Sequence, residues 1–291
     1  MLIALPPPQL IEISGADALA FAHAQSSSDV ASLETGRWQW SAWLNAQGRV
    51  RAFFHLLRLA DDKLWLWQRG GDAQRLRDAL ARYVLRAKVN LRAIEGMQAF
   101  AVHGQAEIPD TPLAPYKDMI TIGGGRFSLA LPGAPSRWLL LAPSAQELIA
   151  DTSDAARDRA QLADIDIGVI WLDPALEEKL LPQWLALDAL GATSVRKGCY
   201  PGQEVVARLH FKGGNKRALY RIDLRTSALP EPGTAVHANG RDGEGAGLII
   251  NSAWRELGHA AALAVLPEDI TEATNLSVSG TRITAIERAT A

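Results

Sequence analysis

Arg196-Lys197-Gly198-Cys199-Tyr200-Pro201-Gly202-Gln203-Glu204 sets the only cysteine of a 291-residue chain between two glycines and a proline. Gly198 and Gly202 permit positive φ or close approach of another group, and Pro201 fixes its own φ, so the stretch reads as a tight, stiff turn that presents Sγ at a defined place. Lys197 lies two positions before the sulfur and Arg196 and Arg208 are near in sequence, which surrounds a thiolate with positive charge. Reactivity is one reading of this arrangement. The other is a buried Cys199 acting as a small hydrophobe, the common fate of a free cysteine.

Outward from this turn the chain has the composition of an ordinary folded protein, 48% hydrophobic and 21% charged, and enough length for a substantial core. Thirty basic residues stand against 32 acidic ones, for a net charge of −2. Such a balance gives no global field that gathers nucleic acid, so any RNA contact must be local. Met1 to Leu10 lacks a basic start and is broken by Pro6, Pro7 and Pro8, unlike a secretory signal. No run of about 20 apolar residues is present to span a bilayer. One cysteine excludes an internal disulfide framework and a multi-cysteine cluster site, and His23, His55, His103, His210, His237 and His259 show no metal-ligand spacing. The expected location is the cytoplasm, with no membrane and no bound metal.

Along the chain, Ser14-Gly15-Ala16-Asp17 predicts a helix start capped by Ser14 and running to Gln25. Arg37 to Leu44 alternates as a strand with Trp38 and Trp40 on one face. Asn45-Ala46-Gln47-Gly48 predicts a turn into a second strand, Val50 to Leu59, and Lys63 to Gln68 a third. Asp72 to Lys88 has helical periodicity behind a cap at Asp72, with Arg75, Arg82 and Arg86 on one stripe, either a solvated face or a phosphate contact. Loops and a hairpin are expected over 104–136, a helix over Ser144 to Ala160 and a buried strand over Asp164 to Leu172. From Lys216 short strands and frequent Pro and Gly turns predict a small β-barrel.

Residues 196 to 204 resemble the signature K-[KR]-G-C-[YF]-x-G-Q-E of the folate-binding YgfZ proteins and their mitochondrial iron–sulfur assembly relatives. The match is carried by Arg196, Lys197, Gly198, Cys199, Tyr200, Gly202, Gln203 and Glu204, with Arg208 and Gly213 to Leu219 in continuation. Weaker similarity touches Gly15-Ala16-Asp17, Gln25 to Val30, Gly48, Lys88-Val89, Asp166-Ile167-Gly168 and Leu181-Pro182-Gln183. The chain departs from the pattern at Ala186, where the family has Asn, at Ser27 in place of Thr, and at Asp166 in place of Glu.

This resemblance implies an α+β, three-part glycine-cleavage T protein-like fold with a C-terminal β-barrel around a central cavity. The parts would be 1–44 with 114–207, 45–113, and 208–291. It further implies tetrahydrofolate or a derivative, including polyglutamylated forms, as cofactor, with Gln25, Asp166 and Trp171 contacting it. Trp38, Trp40, Trp65 and Trp67 are further candidates for an aromatic wall, each also a candidate for the core.

The implied function is assistance to iron–sulfur cluster assembly or repair in client enzymes and, through them, tRNA modification. Cys199 would be the redox-active or ligand-transferring thiol, Lys197 its functional neighbour, and Arg196, Gly198, Tyr200, Gly202, Gln203, Glu204 and Arg208 the frame of its loop. His210 is a weaker candidate partner for the thiol. Two alternatives stand beside it. A folate-dependent aminomethyltransferase or demethylase is disfavoured because Gly48-Arg49-Val50-Arg51-Ala52-Phe53 lacks the carboxylates that such chemistry needs. A noncatalytic RNA-binding module would use Arg75, Arg82 and Arg86 in a weak tRNA contact.

Overall fold

A computed structural model describes residues 1–104, 118–122, 124–133, 136–238, 245–270 and 276–289. The strands and helices of its first half are β1 (Leu2–Ala4), β2 (Gln9–Ser14), α1 (Ala18–Gln25), β3 (Trp38–Leu44), β4 (Val50–Ala60), β5 (Lys63–Gln68), α2 (Ala73–Ala81), β6 (Asn90–Ile94), β7 (Met97–His103), β8 (Met119–Ile122), β9 (Arg126–Leu131) and β10 (Arg137–Pro143). There follow α3 (Asp154–Asp166), α4 (Gln203–Lys212), β11 (Arg217–Arg225), β12 (Ala235–Ala238), β13 (Gly247–Glu256), β14 (His259–Pro267), β15 (Leu276–Val278) and β16 (Thr281–Arg288). Internal contacts divide the chain into two units: Met1–Trp43, Ala52–Arg157 and Arg196–Pro201 form one, and Leu44–Arg51, Asp158–Val195 and Gly202–Ala291 the other.

Two five-stranded sheets, ordered β3-β4-β5-β2-β6 and β1-β7-β10-β9-β8, make up the strands of the first half. Ile11, Ile13, Phe54, Leu56, Leu64 and Leu66 present an apolar face on which Phe21 of α1 and Leu76 and Leu80 of α2 are buried. The opposite faces of β3 and β4 bury Trp38, Trp40 and Phe53 as well. Trp40 stacks on Phe53 at 5.1 Å and meets Trp38 edge-on at 5.2 Å. These tryptophans build the core, and burial on both faces explains why the strand pattern carries so many aromatic residues.

In the second unit β11-β14-β13-β12-β15-β16 close into a barrel, which removes exposed sheet edges. Tyr220, Ile222, Leu224, Ile249 and Ile283 fill it together with Ala260, Ala262 and Ala264 of β14. A six-stranded barrel is narrow, and alanines facing inward leave room for the larger side chains opposite. The barrel expected from Lys216 onward thus begins at Arg217, and the α+β class holds.

Four local expectations need correction. Ser14 ends β2 and does not cap α1; Asp17 is the cap residue, and its carboxylate instead accepts from Lys88 N at 2.7 Å. Helix α2 stops at Ala81 because the chain turns there, Tyr83 N donating to Leu80 O and Val84 N to Ala81 O. Arg82 and Arg86 therefore lie beyond the helix, and the arginine stripe with Arg75 does not form. The third helix starts at Asp154, ten residues later than Ser144. It runs on through Asp166, into the segment that reads as a strand.

The reason lies at Gly168, whose φ is +74°. Val169 N donates to Asp164 O at 2.9 Å and Gly168 N to Ile165 O at 3.1 Å, the paired bonds of a Schellman closure with glycine in the left-handed position. Asp164-Ile165-Asp166 is thus a helix end.

The cap at Asp72 is as expected, its side chain accepting from Arg75 N at 2.7 Å. Asp72→Ala is expected to lower unfolding stability by about 1 kcal/mol, read from the urea midpoint; an unchanged midpoint contradicts the assigned cap.

Candidate functional site

The signature is shared between the two units: Arg196–Pro201 belongs to the first, and Gly202 onward to the second. In the first unit Lys197 reaches the end of α1. Its Nζ donates to Ser26 O at 2.6 Å and to His23 O, carbonyls at the α1 C-terminus that the helix itself leaves open. A cation is favoured there by the partial negative charge of the helix end. The same ammonium stands 4.8 Å from the centre of the Tyr200 ring, and Tyr200 is buried. Cys199, between these two anchored residues, is exposed. The buried small-hydrophobe reading of the thiol is therefore not met.

Burial lowers the Lys197 ammonium from its ordinary 10.5 to about 8, although the Asp29 carboxylate opposes the shift. Burial likewise raises the Tyr200 phenol to about 12, leaving it neutral at physiological pH.

His23, not singled out by its spacing, borders the loop: a Cβ added at Gly198 would lie 4.0 Å from His23 Nε2. Ala31 N donates to His23 Nδ1 at 3.1 Å, which requires that nitrogen to be unprotonated and puts the proton of the neutral ring on Nε2. Burial and the neighbouring Lys197 cation lower the His23 pKa, with Asp29 opposing them. The run Gln25-Ser26-Ser27-Ser28-Asp29 is pinned to β3. Ser27 Oγ accepts from Ala42 N at 3.0 Å, and Ser28 Oγ and Ser41 Oγ are 2.7 Å apart. These bonds hold in place the carbonyl that Lys197 grips. Gln25 Oε1 is buried and has no donor among the described residues.

In the second unit Gly202, with φ +77°, caps α4. A Cβ there would fall 2.5 Å from Asn45 O and 2.6 Å from Gly48 Cα, so the close approach that this glycine permits is made by the chain's own Asn45–Arg49 turn. Glu204 is an acidic residue in the first turn of α4, where the helix dipole favours it. Gln203 is half-buried, and Arg208 is exposed farther along the helix.

Asp166 and Trp171 have partners within the second unit. Asp166 Oδ1 receives Arg255 at 2.7 Å and Arg221 at 3.5 Å, which offsets the cost of a carboxylate at a helix C-terminus. Trp171 Nε1 donates to Asp164 Oδ2 at 3.0 Å, and Trp171 N to Asn251 Oδ1 at 2.8 Å. Glu178, the carboxylate beside the Asn45–Arg51 segment, is held by Arg51 at 2.8 Å and Asn45 at 3.0 Å. Among the described residues no cluster of three or more His, Cys, Asp or Glu is placed to hold a metal. Nor is any helix there long and apolar enough to cross a membrane.

Two predictions follow from this geometry. Gly202→Ala is expected to cost more than about 2 kcal/mol, from the left-handed backbone and the collision with Asn45 and Gly48. Gly198→Ala, outside the left-handed region and with space for a Cβ, should cost under about 0.5 kcal/mol; equal losses in urea unfolding contradict the assignment. Between pH 8 and 10.5 the unfolded chain retains a proton at Lys197 that the folded chain has released, so stability from this group rises with pH across that window. The stability of the wild type relative to Lys197→Met should therefore improve from neutral pH to alkaline pH, and a constant difference contradicts the lowered pKa of this half-buried ammonium.

No family model matches the chain. Among solved structures it is similar to the glycine cleavage system aminomethyltransferase T from Bartonella henselae, with a TM-score of 0.73 at 16% identity, over 99% of this chain and 84% of that one. That likeness establishes a glycine-cleavage T protein-like fold. Among curated proteins it is 30% identical over 282 residues to the tRNA-modifying protein YgfZ of Vibrio vulnificus, covering 93% of this chain and 85% of the relative. It is 31% identical over 265 residues to the protein of that name from Edwardsiella ictaluri, covering 87% and 76%. With the fold, the signature loop and this similarity over most of both chains in agreement, the chain belongs to the YgfZ family.

Proposed function

We propose that the protein is a folate-binding accessory factor that assists assembly or repair of iron–sulfur clusters in client enzymes and, through them, tRNA modification. The observation that carries this reading is an exposed Cys199 held between an anchored Lys197 and a buried Tyr200. A thiol so displayed meets a partner without unfolding the loop, and its deprotonated form is the one that ligates iron. One thiolate serves as a transient ligand during transfer; holding a whole cluster needs ligands from the client.

Tetrahydrofolate or a derivative is the cofactor of this reading. Gln25 Oε1, buried and without a donor among the described residues, offers an acceptor to the amino edge of a pterin. Asp166 and Trp171 already have protein partners, which ranks them after Gln25. Bound folate would bring a reduced pterin to the site; the chain's own residues hold it and present the thiol. The cytoplasm, where folates and client enzymes occur, is the expected compartment. Aminomethyl transfer is not adopted, because the Gly48–Phe53 segment has no carboxylate and Glu178 is engaged by Arg51 and Asn45.

The test is complementation in cells lacking the endogenous homologue, scored by the activity of a cluster-dependent tRNA-modifying enzyme. Cys199→Ser, folded and as abundant as the wild type, should leave that activity near the background of the deletion. Full rescue by the serine variant overturns the proposal.

A further inference from the structure

Helix α4 ends in solvent on a run that builds no core. Arg208, His210, Phe211 and Lys212 are exposed, Phe211 at 73%, and Lys216 follows beyond Gly213 and Gly214. A phenylalanine left in water forgoes a large burial gain, and here it stands among three cations on a chain whose net charge is −2. Aromatic residues interleaved with basic ones, on a protein without a global positive field, are the footprint of a local nucleic-acid contact.

His210 meets Phe211 edge-on at 4.9 Å and also lines a cavity of about 390 Å³, together with Gln183, Thr193, Val206, Leu209 and Asn215. The size falls in the range of small-molecule sites. Gln183 Oε1 and Asn215 Oδ1 are both buried and accept no hydrogen bond from the described residues. The amide nitrogen of Gln183 donates to Val206 O at 3.3 Å, which fixes its oxygen as the group still to be satisfied. Unsatisfied buried acceptors favour an occupant that brings donors. The amino groups of adenine, cytosine and guanine bring two N–H each, whereas uracil has a single N–H on its edge. Arg288 and Asp188 also line the cavity, but Arg288 is paired with Glu268 at 2.7 Å, so the phosphate-facing charge falls to Arg208, Lys212 and Lys216.

We propose that the end of α4 and this cavity form a site for single-stranded RNA. An amino-bearing base enters the cavity toward Gln183 and Asn215, a neighbouring base stacks on Phe211, and the phosphates run past Arg208, Lys212 and Lys216. The site uses neither Cys199 nor folate and goes beyond the function proposed above.

Fluorescence anisotropy of the full chain with labelled oligo(A) and oligo(U) of about 12 nucleotides, a length suited to one binding fold, provides the test. Oligo(A) should bind more tightly than oligo(U) and weaken about tenfold between roughly 50 and 200 mM salt. Phe211→Ala should cost about tenfold, Lys212→Ala with Lys216→Ala should flatten the salt dependence, and Asn215→Leu should narrow the preference for oligo(A). Cys199→Ser should bind RNA as the wild type does, so this result and the complementation result are judged separately. No binding at low salt, binding indifferent to Phe211→Ala, or equally tight binding of a polyglutamate peptide of matched charge overturns the proposal.

Discussion

The grip of the Lys197 ammonium on the open carbonyls of α1 is the contact on which the signature loop depends. An α-helix leaves its last carbonyls without internal partners, and here Ser26 O and His23 O receive a half-buried cation supplied from 171 and 174 residues away in sequence. The same cation faces the Tyr200 ring. One charged group therefore fixes the loop on both sides of Cys199, and the thiol between them is exposed. Burying the ammonium carries a desolvation penalty, visible in its lowered pKa. The helix end and the aromatic ring offset only part of it.

Beyond Pro201 the constraint changes from charge to space. Gly202 and Gly48 approach so closely that neither position tolerates a side chain without displacement, and this contact places the start of α4 against the Asn45–Arg49 turn. The rest of the second unit carries polar pairs with structural roles. Asp166 at the α3 terminus is neutralised by Arg255 and Arg221 from barrel strands, and Asn251 both accepts from Trp171 N and donates to Trp171 O at 2.8 Å. The acidic residue that the family resemblance points to as a folate contact thus also ties α3 to β11 and β13.

How much of this was legible in the sequence depends on the range of the interaction. Local devices were readable: the Asp72 cap, the Asn45–Gly48 turn, the alternation of β3 and the punctuation of the barrel strands. The Ala-rich strand β14 has little β propensity of its own and is strand because β11 and β13 both pair with it. Asp164 to Leu172 misled because buried residues around a Schellman turn imitate strand alternation. At the site, the signature itself was visible, together with the thiol and its lysine. The residues that Lys197 grips were not. His23 and Ser26 contribute backbone carbonyls, which leave no trace in side-chain identity.

The folded chain displays Cys199 while holding the residues around it. Iodoacetamide alkylation of the native protein, compared with the urea-unfolded chain at the same pH, measures this most directly, since the protein has one thiol. A single adduct at Cys199 is expected, formed in the native state at a rate comparable to that of the unfolded chain. A native thiol protected by orders of magnitude, and alkylated only on unfolding, contradicts it.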